Sequence, residues 1–153
     1  QLPIIFVVEN NQYAMSSDAS VMIAGSIAER AKNYDMTAYK VDGQDVFAVH
    51  DIFAQAREAV KNGPVLLEAV TYRFKGHSRS DIEQYRTPEE FFNWEDPIKK
   101  LRDILIQYYE ISEEEIALIN EKSYQSLLEQ AEKAQGDEDT VSPSDIWKAV
   151  YSD

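Results

Sequence analysis

The chain contains no cysteine, which excludes disulfides, thiolate metal sites and cysteine nucleophiles at once. Catalysis has to use other groups, and a reducing cytoplasm is the compartment that such a composition suits. Basic residues are scarce: 15 Lys and Arg stand against 28 Asp and Glu, leaving a formal net charge of −13. A field of that sign repels polyanions, so nucleic acid is not an expected partner. No apolar run reaches the roughly 20 residues needed to span a bilayer. Gln1-Leu2-Pro3 has neither an initiator Met nor the basic stretch of a signal peptide. These absences predict a soluble chain, without membrane contact, that begins mid-sequence. Also missing are a Gly-rich phosphate loop, which argues against an ordinary nucleotide binder, and Gly-x-Ser-x-Gly, which argues against a serine hydrolase built on Ser78.

At 153 residues and 44% hydrophobic content the chain can build a real core. Ile4-Ile5-Phe6-Val7-Val8 is an uninterrupted, largely β-branched run, which predicts a central strand buried on both faces. Ile23, Ile27, Ala28 and Ala31 then recur at helical spacing up to Lys32 and Asn33. Residues 38–41 form a short second strand closed by an Asp42-Gly43 turn. Asp45 is placed to cap a helix carrying Phe47, Val49, Ile52, Phe53, Ala56 and Val60, which Asn62-Gly63-Pro64 ends. Residues 65–72 are a third strand. The order strand, helix, strand, helix, strand implies two right-handed crossovers in a parallel sheet, hence an α/β fold.

Residues 75–86 lack periodicity and read as a loop, long for a plain connection. Thr87-Pro88-Glu89-Glu90, Asp96-Pro97 and Ser112-Glu113-Glu114-Glu115 each carry a helix-start signal, so three helices are expected in succession. A polar break over residues 136–144 precedes a last helical turn or two with Ile146, Trp147, Val150 and Tyr151. Two parts are therefore expected: an α/β domain over residues 1–86, and a helical carboxyl-terminal extension over 87–153 packed on it.

Ligands of open parallel sheets bind beyond the carboxyl ends of the strands, and two such ends are unusual here: Asn10-Asn11-Gln12-Tyr13 and Lys75-Gly76-His77-Ser78. The Asn11 amide oxygen and the Tyr13 backbone carbonyl are hard donors that suit Mg²⁺ bridging to a phosphate. The alternative is that Asn10-Asn11 merely forms a turn. His77 also has two readings: a solvated or locally bonded ring, or, beside Lys75 and Arg79, a group that exchanges protons or steadies an anionic intermediate. Arg73, Lys75, Arg79 and Arg86 against Asp81 and Glu83 make this the segment where an anion would bind. Phe91, Phe92 and Trp94 read as core or subunit interface, and Asp42, Gly43 and Asp45 as turn and cap.

Four motifs occur in a fixed order: Leu2-Pro3-Ile4-Ile5-Phe6-Val7-Val8-Glu9-Asn10-Asn11-Gln12-Tyr13-Ala14-Met15-Ser16, Val41-Asp42-Gly43-Gln44-Asp45-Val46-Phe47-Ala48-Val49, the stretch Glu68 to Asp81, and Tyr85-Arg86-Thr87 with Asp96-Pro97-Ile98. Together they resemble the alpha subunit of the thiamine-diphosphate-dependent dehydrogenase family, which includes pyruvate, branched-chain 2-oxo acid and acetoin dehydrogenases. The likeness is collinear from Leu2 to about Leu101 and weaker beyond. It implies the carboxyl-terminal half of a parallel-sheet thiamine-diphosphate-binding fold, followed by a helical tail. Asn10-Asn11 would be the second half of the cofactor motif, the Gly-Asp-Gly half falling ahead of Gln1. Thiamine diphosphate and Mg²⁺ are the implied cofactors, with Asn11 by its side chain and Tyr13 by its carbonyl holding the metal.

The same resemblance places His77 near the thiazolium and the diphosphate, assisting reductive acylation of lipoamide. Ser78 matches a serine that kinases phosphorylate in mitochondrial relatives. The implied partners are a beta subunit, which completes the site in an α2β2 heterotetramer and supplies a glutamate for the aminopyrimidine, a lipoyl acyltransferase component, and a small-molecule substrate. The implied place is the bacterial cytoplasm. Lys75-Gly76-His77-Ser78-Arg79-Ser80-Asp81 is nearer to bacterial acetoin dehydrogenases, so an oxidoreductase component cleaving acetoin and passing the acyl unit to lipoamide is the expected function. A pyruvate dehydrogenase alpha subunit is the alternative, and an inert assembly module, when the stretch is isolated, is the expectation from another class.

Overall fold

The computed structural model describes residues 1–136 and 143–150. Its strands are β1 (Ile5–Asn10), the short antiparallel pair β2 (Tyr13–Ala14) and β3 (Ser17–Asp18), β4 (Thr37–Asp42) and β5 (Val65–Val70). β1, β5 and β4 lie in that order in one parallel sheet, as two crossovers require. The core gathers on β5, where Val65 and Leu67 are fully buried beside Ala69 and beside Ala56 of the crossover helix that precedes it, and Ile5, Tyr39, Val41, Ile52 and Phe53 pack around them. The apolar run expected to be the central strand is therefore an edge strand among the described residues. β1 pairs only with β5, and Phe6 and Val7 remain 48% and 47% exposed. Uniform apolar composition signals a strand suited to two-sided burial, but strand order is set by where each crossover returns.

Of the helices, α1 (Ala19–Met22) and α2 (Ile27–Arg30), with a 3₁₀ turn over Ala31–Tyr34, replace the single helix expected through Ile23 and Ala31. Gly25 sits at φ +70, and Ser26 is extended at φ −95, ψ 141, so the chain leaves the helical region between two apolar positions that share helical spacing. The crossover helix α3 (Val46–Ala59) is capped as expected: the Asp45 carboxylate accepts from the Phe47 and Ala48 amides at 3.1 and 3.0 Å. The Asp42-Gly43 turn also holds, for a tighter reason than turn propensity. Gly43 N–H donates to the Val70 carbonyl at 2.7 Å, and a Cβ at this position would lie 2.5 Å from Thr71 Cγ2. Only glycine lets the tips of β4 and β5 approach so closely.

After the loop come α4 (Pro88–Phe92), α5 (Pro97–Tyr109), α6 (Glu113–Gly136) and α7 (Pro143–Val150). The first three begin where the start signals lie: Thr87 and Glu90 form a capping box, Asp96 accepts from Ile98 N–H at 2.9 Å, and Ser112 exchanges bonds with Glu115. Lys100 of α5 reaches Asp45 at 2.9 Å and Asp42 at 3.8 Å, tying that helix to the β4 turn. Most of the expected polar break, residues 137–142, and Tyr151 lie outside the described residues. Two compact units emerge, Gln1–Tyr108 and Tyr109–Asp153, with α4 inside the first. Among the described residues no helix is long and apolar enough to cross a membrane.

Candidate functional site at the strand tips

The register brings three strand ends to one edge of the sheet: Val70 lies between Asn10 on one side and Asp42 on the other. Pairing continues past the strands, because Thr71 N–H donates to the Asn10 carbonyl at 2.9 Å and Arg73 N–H to that of Asn11 at 3.4 Å. The tip of the opening strand and the tip of the third thus lie side by side, as expected.

The two asparagines do different work. Asn10 points its amide inward, Nδ2 donating to Glu68 Oε1 at 2.9 Å. Asn11 Oδ1 accepts the Tyr13 N–H at 3.0 Å while Gln12 takes φ +72, an Asx turn. Turn and metal donor are compatible roles, since an amide oxygen that accepts one N–H keeps a second lone pair. Asn11 is only partly buried, so that lone pair is not sealed into the core.

Behind this turn lies a residue that sequence reasoning passed over. Glu68, 1% exposed on the central strand, accepts from Asn10, from Ala28 N–H at 2.9 Å and from Ser26 Oγ at 3.2 Å, with Lys40 Nζ 3.9 Å away. Burial pushes its carboxyl up, but the Asn10, Ala28, Lys40 and Ser26 contacts together outweigh burial and hold it below its ordinary value. The available signal was one charge inside the apolar run of residues 65–70.

The loop over residues 75–86 has no regular structure, yet its own acids brace it. Gly76 N–H donates to Glu83 Oε1 at 2.6 Å, His77 N–H to Asp81 Oδ2 at 2.7 Å, Glu83 N–H to Asp81 Oδ1 at 2.9 Å, and the Tyr85 hydroxyl to Asp81 Oδ2 at 2.6 Å. The Tyr85 hydroxyl first, then the His77 and Glu83 amides, hold the Asp81 carboxyl down at about 2. A lowered carboxyl stabilises the fold above its ordinary value of 3.8 and loses that contribution as pH falls toward about 2. The amide resonances of His77 and Glu83 are accordingly expected to titrate with a midpoint near 2; a midpoint at the ordinary 3.8 would remove Asp81 from this bracing role.

His77 itself is exposed, and with Met15, Ser16, Ser78, Asp81 and Tyr85 it lines an open depression of about 190 Å³. Met15 and Ser16 lie two and three residues past Tyr13, so this depression joins the two strand-tip loops; Asn11 is not among its lining residues. Ser78 is exposed, its Oγ 3.2 Å from that of Ser80. Of the four basic residues expected to receive an anion, two are engaged internally. Arg73 Nη2 donates to the Met15 carbonyl at 2.5 Å and the Tyr85 hydroxyl at 2.8 Å, and Arg86 is buried. Lys75 and Arg79 are the exposed pair.

Arg86 sits in an aromatic cage, its guanidinium 5.0 Å from the Phe91 ring centre and 5.6 to 5.8 Å from those of Tyr13, Tyr72 and Tyr85. It donates to the Arg73 carbonyl and the Glu83 carboxylate. Tyr72 stacks on Trp94 at 5.4 Å and meets Phe91 edge-on at 5.8 Å. Glu90 Oε2 accepts from the Tyr13 hydroxyl at 2.5 Å and that of Tyr72 at 3.3 Å. Burial, then the Glu90 carboxylate, push the Tyr13 phenol well up. Phe91 and Trp94, both half-buried, thus pack into this aromatic cluster, whereas Phe92, grouped with them, is 88% exposed; consecutive helical positions cannot share one face.

Loops from adjacent parallel strand tips thus meet in an α/β protein, at the edge where open parallel sheets bind their ligands. The chain belongs to the dehydrogenase E1 component family, whose model matches residues 1–142. It is similar to the pyruvate dehydrogenase E1 component subunit alpha of Rhizobium meliloti, 36% identical over 146 residues that cover 90% of this chain and 41% of the relative. The Porphyra purpurea protein of the same name is 41% identical over 122 residues, 76% of this chain and 35% of the relative. The mitochondrial 2-oxoisovalerate dehydrogenase subunit alpha of Mus musculus is 35% identical over 160 residues, 100% of this chain and 36% of the relative. The family resemblance drawn from the four motifs is borne out. The chain spans 35% to 41% of the length of these relatives.

Proposed function

We propose that this chain is part of the alpha subunit of a thiamine-diphosphate-dependent 2-oxo acid dehydrogenase that acts on pyruvate, and that it supplies one wall of the cofactor site. The observation carrying this reading is the Asn11–Tyr13 turn at the tip of β1, side by side with the strand that leads into the His77 loop. The names of the relatives, pyruvate and 2-oxoisovalerate enzymes, favour pyruvate over the acetoin expected from residues 75–81.

Two hard oxygens in one turn, the Asn11 Oδ1 and the Tyr13 carbonyl, would hold Mg²⁺, which takes oxygen ligands and would supply positive charge for a diphosphate. Bound there, thiamine diphosphate supplies the carbanion chemistry. The exposed His77 ring holds or passes a proton at the acyl acceptor, a lipoyl group. Lys75 and Arg79 supply the positive charge that favours the anionic substrate and diphosphate at the same edge. A beta subunit and a lipoyl acyltransferase complete the reading.

The test is reconstitution of the full-length alpha subunit with its beta partner, thiamine diphosphate and Mg²⁺, comparing pyruvate with acetoin. Turnover of acetoin alone would reverse the choice of substrate, and turnover of neither would end the proposal. Asn11→Ala is expected to weaken Mg²⁺-dependent cofactor binding by about 10–100-fold, the scale on which disturbed metal shells respond. His77→Ala is expected to spare that binding and slow lipoyl acylation in single-turnover assays. Equal and negligible effects of the two variants would contradict the assignment.

A further inference from the structure

We infer that Glu90 is a positioning residue for the metal-holding turn, acting through the phenol of Tyr13; the inference rests on the proposed role of the Tyr13 carbonyl. The turn is pinned at several points along its backbone. Ala19 N–H donates to the Gln12 carbonyl at 2.8 Å, Arg73 holds the Met15 carbonyl at 2.5 Å, and Asn11 Oδ1 accepts from Tyr13 N–H at 3.0 Å. Gln12 between them takes the uncommon φ of +72. These contacts, with the β2–β3 pairing of Tyr13 opposite Asp18, set where the peptide runs, and the side chain adds a fixed point of its own on residue 13. That side chain runs into the cage and ends on Glu90, with the hydroxyl donating to Oε2 at 2.5 Å. A phenol-to-carboxylate bond of this length is charge-assisted and stronger than a neutral one.

Glu90 can act as an anchor because it is itself held. Its other oxygen, Oε1, accepts from Thr87 N–H at 3.3 Å in the capping box that opens α4, so the carboxylate is fixed by a helix start rather than by a flexible surface position. The second phenol, that of Tyr72, shares Oε2 at 3.3 Å, and the Tyr72 ring packs edge-on against Tyr13 at 6.3 Å. Anchor and turn thus meet within one rigid aromatic cluster though 77 residues apart in sequence. Mg²⁺ tolerates little departure from octahedral geometry, and a ligand carbonyl displaced by a fraction of an ångström loses affinity without any change of donor.

The experiment uses the full-length alpha subunit with its beta partner and titrates Mg²⁺ at fixed thiamine diphosphate by calorimetry, comparing Tyr13→Phe, Glu90→Ala, the double variant and Asn11→Ala. Tyr13→Phe removes one oxygen and leaves the ring, so it folds even where Glu90→Ala does not. Tyr13→Phe and Glu90→Ala are each expected to raise the half-saturating Mg²⁺ about tenfold, and the double variant to match the larger single effect, since both cut the same bond. Thiamine diphosphate affinity at saturating Mg²⁺ stays at the wild-type value, which damage to the fold would not permit. A wild-type Mg²⁺ requirement in Tyr13→Phe, or additive effects in the double variant, overturns the inference while a raised requirement in Asn11→Ala leaves the proposed function standing. If Asn11→Ala also leaves the requirement unchanged, the proposed function fails and the inference with it.

Discussion

Replacing Glu68 by Ala is expected to lower stability by about 3–5 kcal/mol, the range for breaking a buried charged network by removing one member. The carboxylate is 1% exposed in the central strand and receives Asn10 Nδ2, Ala28 N–H and Ser26 Oγ. Truncation orphans three donors and leaves a void on the face of β5 opposite Leu67, against Ser26 and Ala28. Glu68→Gln keeps the volume but turns an NH₂ group toward donors, so it should lose about 1–3 kcal/mol, the desolvation scale of an unmatched buried group.

The pH dependence separates charge from volume. Because the Glu68 carboxyl is held below its ordinary value of 4.5, its contribution is fully present above that value and is lost as pH falls below it. Wild-type stability should therefore decline with acidification through this window, and Glu68→Gln should flatten the decline. Denaturant unfolding of the full-length subunit with its partner across the pH range measures both. A loss under about 1 kcal/mol in Glu68→Ala would show that the donors find other partners. The consequence for the site lies in Asn10, whose amide bridges Glu68 and the Asn11–Tyr13 turn: the buried acid holds the last residue of β1, from which that turn starts.

Much of this arrangement is legible in residue order, because it depends on local chemistry. Asp45, Thr87, Asp96 and Ser112 open helices where their hydroxyls and carboxylates predict. The strand ends at Asn10 and Val70 fall together because two parallel crossovers leave them no other edge. What escaped depends on distant partners. β1 reads as central, yet β5 inserts between it and β4, an outcome of where crossovers return rather than of composition. Helical spacing through Ile23, Ile27 and Ala31 is real but is cut by Gly25 at φ +70, which a count of apolar positions does not register. Arg73 and Arg86 look like anion ligands because they are basic and near His77; only packing reveals that one braces the Met15 turn and the other is enclosed by rings. Glu68 carries no motif, and its weight comes from burial.

Arg86 supplies the second large effect, and its distinguishing feature is where the loss should appear. The guanidinium side chain is fully buried, paired with the Glu83 carboxylate and the Arg73 carbonyl and surrounded by four rings. Arg86→Met keeps much of the aliphatic bulk yet removes the fork, and the lost pairing is worth about 3–5 kcal/mol. Arg86→Lys retains the charge but cannot reach both acceptors in plane, so it falls between. Glu83, however, is 34% exposed and lies on the loop that carries Gly76 and His77. Its carboxylate can regain water if that loop lifts away, leaving the sheet intact, and the free energy is then released as local opening rather than global unfolding. Trypsin should therefore cut after the exposed Lys75 and Arg79 about 100-fold faster in Arg86→Met, as an opening equilibrium eased by about 3 kcal/mol implies, while the melting temperature moves little. A melting temperature that falls steeply with no change in cutting at Lys75 or Arg79 would show that the cage supports the whole first unit rather than the loop. Local opening would instead identify Arg86 as the latch that keeps His77 beside the Tyr13 turn.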